Sequence, residues 1–225
     1  MIELVLFDID GTLVRTGGAG IEAFRKVFAT EFGATDGFEK LKFAGRTDTG
    51  LVREFFEYHQ IPMTPENTER FFEHYVFLLD YILSQGAPWP CKGVREFITA
   101  LQAMPNAPML GLLTGNIQLG AEIKLRHCGL WDIFVTGGFA EDNEDRNLIA
   151  AAARDRSSRV LGKKLRGEEI LVIGDTPHDI RCGRHIGAKV LAVGTGGASL
   201  EELKSRQPDW VVEDLTYVSL EEVTR

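Results

Sequence analysis

Short apolar runs alternate with amphipathic segments along most of the chain. The first run, Ile2 to Phe7, is rich in branched residues and ends at a turn-forming stretch, which predicts a buried strand. Three later runs have the same character: Met109 to Leu113, Ile170 to Ile173 and Val190 to Val193. Segments typical of helices lie between and after them: from Asn116 to near Gly129, from about Arg146 to Leu161, from Pro177, and after Ser199. This alternation predicts an α/β fold, a doubly wound, Rossmann-like parallel sheet with helices on both faces.

Residues 15–87 interrupt this alternation. They contain no convincing strand pattern, and their apolar residues recur at helical spacing within 21–32 and 71–83. Glycines at positions 17, 18 and 20 lie at the start of this segment, and the sequence Pro88-Trp89-Pro90 follows it. Such residues are typical of turns and hinges. We therefore predict an all-helical cap domain, residues 15–87, inserted into an α/β core formed by residues 1–14 and 88–225.

The amino-acid composition and net charge argue against several classes of function. The 225 residues include 25 Lys and Arg against 33 Asp and Glu, a net charge of −8, which argues against nucleic-acid and anionic-membrane partners. No apolar run approaches the roughly 18 residues of a membrane span. The first ten residues lack the basic region of a secretory signal, and the three cysteines are far apart. We expect a cytoplasmic protein without a disulfide framework or structural zinc.

Polar clusters follow three of the predicted strands. Asp8 and Asp10 follow the first, Thr114 to Asn116 the second, and Asp175 and Asp179 the third. Each cluster alone could be a turn or a helix cap, but the carboxyl ends of parallel strands meet at one sheet edge, where ligands bind. Two carboxylates about 4 Å apart repel by roughly 1 kcal/mol in water and about 4 kcal/mol at a dielectric of 20. An all-oxygen set of this kind suits Mg²⁺, beside which a carboxylate can attack phosphorus.

The segments FDIDGTLV (7–14), LLTGN (112–116) and IGDTPHD (173–179) resemble the motifs of the haloacid dehalogenase superfamily, in its phosphatase branch with a helical cap. The resemblance covers nearly the whole chain, including the motif order and the place of the cap, and is greatest to phosphoglycolate phosphatases. It implies a Mg²⁺-dependent phosphatase that hydrolyses a small-metabolite phosphomonoester through an aspartyl phosphate. Phosphoglycolate is the first candidate substrate.

The resemblance also implies roles for individual residues. Asp8 would be the nucleophile and Asp10 the general acid and base. The metal would be held by Asp8, Asp10 through its carbonyl, and Asp175, with Asp179 as an outer ligand. The phosphoryl group would be bound by the second cluster: Thr114, Gly115 and Asn116.

One position departs from the family pattern. The family places a basic residue, usually Lys, at the start of a helix between the second and third motifs, whereas residues 137–148 contain no Lys. Arg146 is the only cation in this acidic stretch, so we assign it the phosphate-binding role, for which its planar fork is suited. The alternative is a surface arginine paired with Asp142 or Glu144.

The cap should supply substrate specificity. The polar sequence Gly45-Arg46-Thr47-Asp48 resembles the specificity loop of helical-capped family members, and Arg46 would pair with a carboxylate or second phosphate of the substrate. A salt-bridged arginine at a helix start is the alternative. The glycines of 194–197 match no phosphate-binding motif and are interpreted as a strand-to-helix connection.

Two other functions stay open beside the phosphatase. One is a sugar phosphomutase of the same superfamily, and the other is a non-catalytic regulator on the same scaffold. Dehalogenases lack an acid two residues after the nucleophile, so Asp10 argues against that activity. The sequence predicts a small phosphorylated metabolite as partner and gives no prediction of oligomeric state.

Overall fold

The computed structural model describes residues 1–225 and contains eight strands and nine α-helices. The strands are β1 (Leu4–Phe7), β2 (Val14–Arg15), β3 (Trp89–Pro90), β4 (Met109–Leu113), β5 (Thr136–Gly138), β6 (Ile170–Gly174), β7 (Lys189–Val193) and β8 (Trp210–Val212). The helices are α1 (Ala19–Phe32), α2 (Asp48–Tyr58), α3 (Pro65–Gln85), α4 (Val94–Gln102), α5 (Gln118–His127), α6 (Arg146–Leu161), α7 (Pro177–His185), α8 (Leu200–Ser205) and α9 (Leu220–Val223). Short 3₁₀ turns connect several of them.

Six parallel strands form the central sheet in the order β5-β4-β1-β6-β7-β8. Strand β1 lies between β4 and β6, and its last residue, Phe7, is in register with Leu112 and Ile173. The predicted α/β fold is therefore confirmed. The register also brings the ends of these three strands, where the polar clusters begin, to one edge of the sheet.

Alternation along β1 builds two cores. Val5 and Phe7 pack on the face covered by α4 and α5, whereas Leu4 and Leu6 pack on the opposite face with α6 and α7. All four side chains are fully buried, as expected for a strand covered by helices on both faces. The site at the strand ends is thus held by a rigid, two-sided core.

The four predicted strands are present within two residues of their expected ends, and α6 spans the predicted residues. Strands β5 and β8 were not predicted, because each has only three residues and sits at a sheet edge. The expectation that residues 15–87 hold no strand needs a small correction. Arg15 belongs to β2, which pairs antiparallel with β3 where the chain enters and leaves the helical insertion.

Helices α1, α2 and α3 pack around an aromatic cluster between β2 and β3. Phe28 lies at the centre of this cluster, with its ring centroid 4.0 Å from that of Phe55 and 4.6 Å from that of Phe71. The same cluster includes Ile117 and Ala140 of the α/β part, so the helices rest directly on the sheet edge. No helix has both the length and the apolar character that a membrane crossing requires.

Candidate active site

A cavity of about 590 Å³ lies between the carboxyl ends of the strands and the helices above them. Eight of the nine predicted site residues line it: Asp8, Asp10, Arg46, Thr114, Gly115, Asn116, Arg146 and Asp175. Asp179, the ninth, lies beneath this wall and is 1 % exposed. The structure therefore brings the three strand-end clusters and the cap loop to one place.

Three carboxylates form the floor of the site. Asp8, Asp175 and Asp179 are buried, and each offers an oxygen within 4.8 Å of the others. Burial raises the pKa of Asp8 well above its usual range, and the neighbouring Asp179 raises it further against the opposite effect of Arg146. Burial, aided by Asp179, likewise raises the pKa of Asp175 to about 7. The cluster carries more negative charge than its surroundings balance, which favours a cation.

The turn after β1 and the loop after β7 hold Asp175 from two sides. Thr12 Oγ1 donates to Asp175 Oδ1 at 3.0 Å, and the Gly197 backbone N–H donates to Oδ2 at 3.2 Å. Gly11 has a φ of +87°, and a Cβ there would lie 2.8 Å from Asp175 Oδ2. Only glycine satisfies both conditions. Residues 194–197 do join β7 to the following helix, and they also position this carboxylate.

Arg146 is the first residue of α6 and is 4 % exposed. Its Nη2 donates to Asp8 Oδ1 at 3.3 Å, to Asp179 Oδ1, and to the Leu113 carbonyl at 3.3 Å. Its Nε has no acceptor within the protein. The side chain thus lies beside Asp8 with one donor uncommitted.

The acidic residues around Arg146 have other partners, so the surface pairing considered as its alternative is not found. Asp142 accepts hydrogen bonds from Arg156, and Glu144 accepts from Arg53 Nε at 2.9 Å. Asp145 caps α6 by accepting from the Asn147 N–H. Arg146 pairs with none of these three residues, and it lines the cavity instead.

Asp10 lies apart from the carboxylate floor. Its side chain is 43 % exposed, and its Oδ2 accepts from Asn116 Nδ2 at 2.8 Å and from Lys124 Nζ at 2.6 Å. The carboxylate of Asp10 is not among the clustered oxygens, so a metal contact by this residue would fall to its carbonyl, as the resemblance implies.

Lys124 was missed by the sequence reasoning. It lies on α5, about two helical turns beyond Asn116, and is 4 % exposed. No motif includes it. The only available signal was a lysine on a helix that leads away from one of the polar clusters, and that signal is weak because most lysines on helices face solvent.

The loop after β4 has its own internal network. Thr114 Oγ1 accepts from Asn116 Nδ2 at 2.7 Å and from the Asn116 backbone N–H at 3.2 Å. Any side chain at position 115 would clash with the Arg46 carbonyl, so Gly115 permits the close approach of the cap loop. The Gly115 carbonyl accepts from the Asp48 backbone N–H at 2.7 Å.

Arg46 combines features of its two interpretations. Its Nη2 lies 2.5 Å from Glu54 Oε2, an ion pair near the start of α2. The same side chain is one-third exposed and lines the cavity. Arg46 therefore lines the cavity while it is paired with Glu54.

The sequence model of haloacid dehalogenase-like hydrolases matches residues 5–193. The chain is 26 % identical over 218 residues to the pyrophosphatase PpaX of Halalkalibacterium halodurans, covering 95 % of this chain and 94 % of the relative. Its fold is similar to that of CbbY from Rhodobacter sphaeroides in complex with phosphate, with a TM-score of 0.78, 17 % identity and 99 % coverage of both chains. It is also similar to the β-phosphoglucomutase of Clostridium difficile, with a TM-score of 0.73, 21 % identity, and 99 % and 96 % coverage.

Proposed function

Because the chain belongs to the haloacid dehalogenase-like hydrolase family and is a hydrolase acting on phosphate esters, we propose that it is a Mg²⁺-dependent phosphatase that uses an aspartyl-phosphate intermediate. Its substrate is a small phosphorylated metabolite, and it acts in the cytoplasm. The observation that supports this proposal most directly is the pairing of Asp8 with Arg146 on the cavity wall, next to Asp175. A carboxylate nucleophile, a fixed cation and a second carboxylate are what phosphoryl transfer to an aspartate needs.

The donor set fits a hard divalent cation. Asp8, Asp175 and Asp179 offer only oxygens, and the single guanidinium of Arg146 balances at most one of their charges. Asp8, Asp175 and the Asp10 carbonyl would hold Mg²⁺, with Asp179 behind them. When bound, the ion supplies neutralisation of charge on the phosphoryl oxygens and on Asp8.

The proposed reaction has two steps, in which Asp8 and Asp10 take part. Asp8 attacks phosphorus, so that a bond forms between its oxygen and phosphorus while the bond from phosphorus to the ester oxygen breaks. Asp10 gives its proton to the departing oxygen. In the second step Asp10 takes a proton from water, whose oxygen attacks the same phosphorus and releases Asp8 and inorganic phosphate.

The phosphoryl group would be bound by groups that already face the cavity. Arg146 lines this cavity beside Asp8, and Thr114, Gly115 and Asn116 line the same cavity. Arg46 would bind a second anionic group of the substrate, since it lines the same cavity from the cap side. Phosphoglycolate, with its carboxylate, has a suitable pair of anionic groups and is our first candidate.

Phosphate release from a panel of phosphorylated metabolites with Mg²⁺ tests this proposal. The panel should include phosphoglycolate, sugar phosphates and p-nitrophenyl phosphate, and also inorganic pyrophosphate because of the similarity to a pyrophosphatase. Asp8→Asn is the matched inactive control, and Lys163→Met, whose lysine pairs with Glu3 and Glu169 near the start of β1, should stay active. Isomerisation of a sugar phosphate without phosphate release would identify a phosphomutase instead, and no turnover of any substrate would refute the proposal.

A further inference from the structure

Lys124 is a buried cation that the proposed reaction has not yet used. Its Nζ donates to Asp10 Oδ2 at 2.6 Å and to Asn116 Oδ1 at 2.5 Å. Burying an ammonium group is costly unless partners compensate it, and a carboxylate is the strongest partner available. Most lysines keep their ammonium group in water, whereas that of Lys124 is enclosed by the protein.

The two hydrogen bonds to Asp10 restrict its orientation. Lys124 Nζ and Asn116 Nδ2 both bind Oδ2, whereas Oδ1 accepts no hydrogen bond. Asn116 Nδ2 also contacts Thr114 Oγ1 at 2.7 Å, so the network reaches the phosphate-binding loop. One oxygen of Asp10 is therefore held and the other is free to exchange a proton.

The cap covers this lysine. A Cβ at Gly20 of α1 would lie 3.6 Å from Lys124 Nζ and 3.7 Å from the Tyr75 hydroxyl of α3. Position 20 of the cap thus lies at van der Waals distance from the ammonium group. Lys124 is buried because the cap helices rest on it, while Asp10 itself is 43 % exposed and would otherwise be free to rotate.

We propose that Lys124 is a positioning residue that, together with Asn116, holds Oδ2 of Asp10 and presents Oδ1 to the leaving-group oxygen. The inference rests on the acid–base role proposed for Asp10. A positioning residue of this kind matters most when the leaving group needs a proton, so its removal should act selectively on alkyl phosphates.

Lys124→Met tests the inference, because methionine nearly matches the length of the side chain without its charge. Lys163→Met is the control for loss of a paired lysine elsewhere. We expect kcat/KM for an alkyl phosphate to fall by about 10²-fold in Lys124→Met, while kcat/KM for p-nitrophenyl phosphate falls by less than about 5-fold. Lys124→Arg should recover part of the loss. An equal loss for both substrates, or no loss, would overturn the positioning role.

Crystal structures of the wild type and Lys124→Met separate this inference from the proposed function. We expect Asp10 to change its orientation or occupy several, with Asp8 and Asp175 unmoved. An Asp10 side chain in the same single orientation would refute the inference even in a wild-type protein that proved to lack phosphatase activity. If Lys124→Met does not fold, Lys124→Gln, which keeps a donor but loses the charge, serves for both measurements.

Discussion

Asp48 Oδ2 accepts a hydrogen bond of 2.9 Å from the backbone N–H of Ile117. Asp48 is the first residue of α2 in the cap, and Ile117 immediately precedes α5. The Asp48 N–H in turn donates to the Gly115 carbonyl at 2.7 Å. These two bonds join the start of a cap helix to the loop that carries Thr114 and Asn116, so the position of the cap is coupled to the phosphate-binding loop. A carboxylate at a helix N-terminus is also favoured by the helix dipole.

We expect Asp48→Asn to change how stability depends on pH. Burial, reinforced by Asp10 and Glu141 and opposed by Lys124 and the Ile117 N–H, raises the pKa of Asp48 to about 7. An aspartate in the unfolded chain has a pKa of about 3.9, so between about pH 4 and 7 the native state holds the extra proton and stability falls as pH rises. The amide of the variant does not titrate, and its oxygen can still accept from the Ile117 N–H.

The stability of Asp48→Asn relative to the wild type should therefore increase from pH 4 to 7, by at most about 4 kcal/mol. Thermal unfolding at several pH values between 4 and 8 measures this difference. Asp132→Asn, at a surface position 88 % exposed, is the control and should follow the wild type. Parallel curves for Asp48→Asn and the wild type would contradict the shifted pKa.

Asp8→Asn should reduce phosphate release to background and leave the fold intact. An amide is a poor nucleophile toward phosphorus, and removing one of three crowded carboxylates relieves repulsion in the buried cluster. Phosphate release and the unfolding temperature should be measured on the same preparation. Turnover near the wild-type rate would exclude Asp8 as the nucleophile.

Asp10→Asn should lower turnover by about 10²- to 10⁴-fold, the usual range for general acid–base catalysis. Asp10 lies outside the carboxylate floor, so the substitution should spare metal affinity. Stability should fall, because the buried Lys124 loses its charged partner. The loss should be smaller for aryl than for alkyl phosphates, because a good leaving group needs less protonation. A comparison of kcat/KM for the two classes decides the point, and equal losses would argue against an acid role.

Chelation of divalent metal ions should abolish phosphate release, and added Mg²⁺ should restore it. The all-oxygen floor of Asp8, Asp175 and Asp179 suits a small hard ion, whereas Ca²⁺ takes longer bonds and more ligands and should restore little activity. Phosphate release after EDTA treatment and dialysis, with each ion then added back, is the measurement. Full activity of the chelated protein would show that the reaction does not need a metal ion.

The sequence predicted the parts of the site that follow buried strands, and it missed a part that depends on packing. Asp8, Thr114 and Asp175 each follow a recognisable apolar run, and parallel pairing brings such strand ends together. Lys124 has no such marker, because its burial results from cap helices that are distant along the chain. The sequence also gave no prediction of the edge strands β5 and β8, because three residues are too few to show an alternation of apolar and polar positions.

Arg146→Ala provides the strictest test of the phosphate-binding assignment. Its guanidinium lies between Asp8 and Asp179, and we expect it to neutralise the phosphoryl group opposite the metal. The substitution should lower kcat/KM at least tenfold, about 1.4 kcal/mol of transition-state binding, and Arg146→Lys should recover part of it because the charge remains. The unfolding temperature of Arg146→Ala should also fall, since buried carboxylates lose their partner.

The kinetic effect can be separated from this loss of stability. Arg159→Ala removes an exposed arginine from the same helix and should leave both quantities unchanged. Kinetics measured well below the unfolding temperature, with saturating Mg²⁺, report on the folded enzyme alone. If folded Arg146→Ala keeps wild-type kcat/KM, then Arg146 serves only to balance the carboxylate floor, and Arg46 of the cap becomes the next candidate for the phosphate-binding cation.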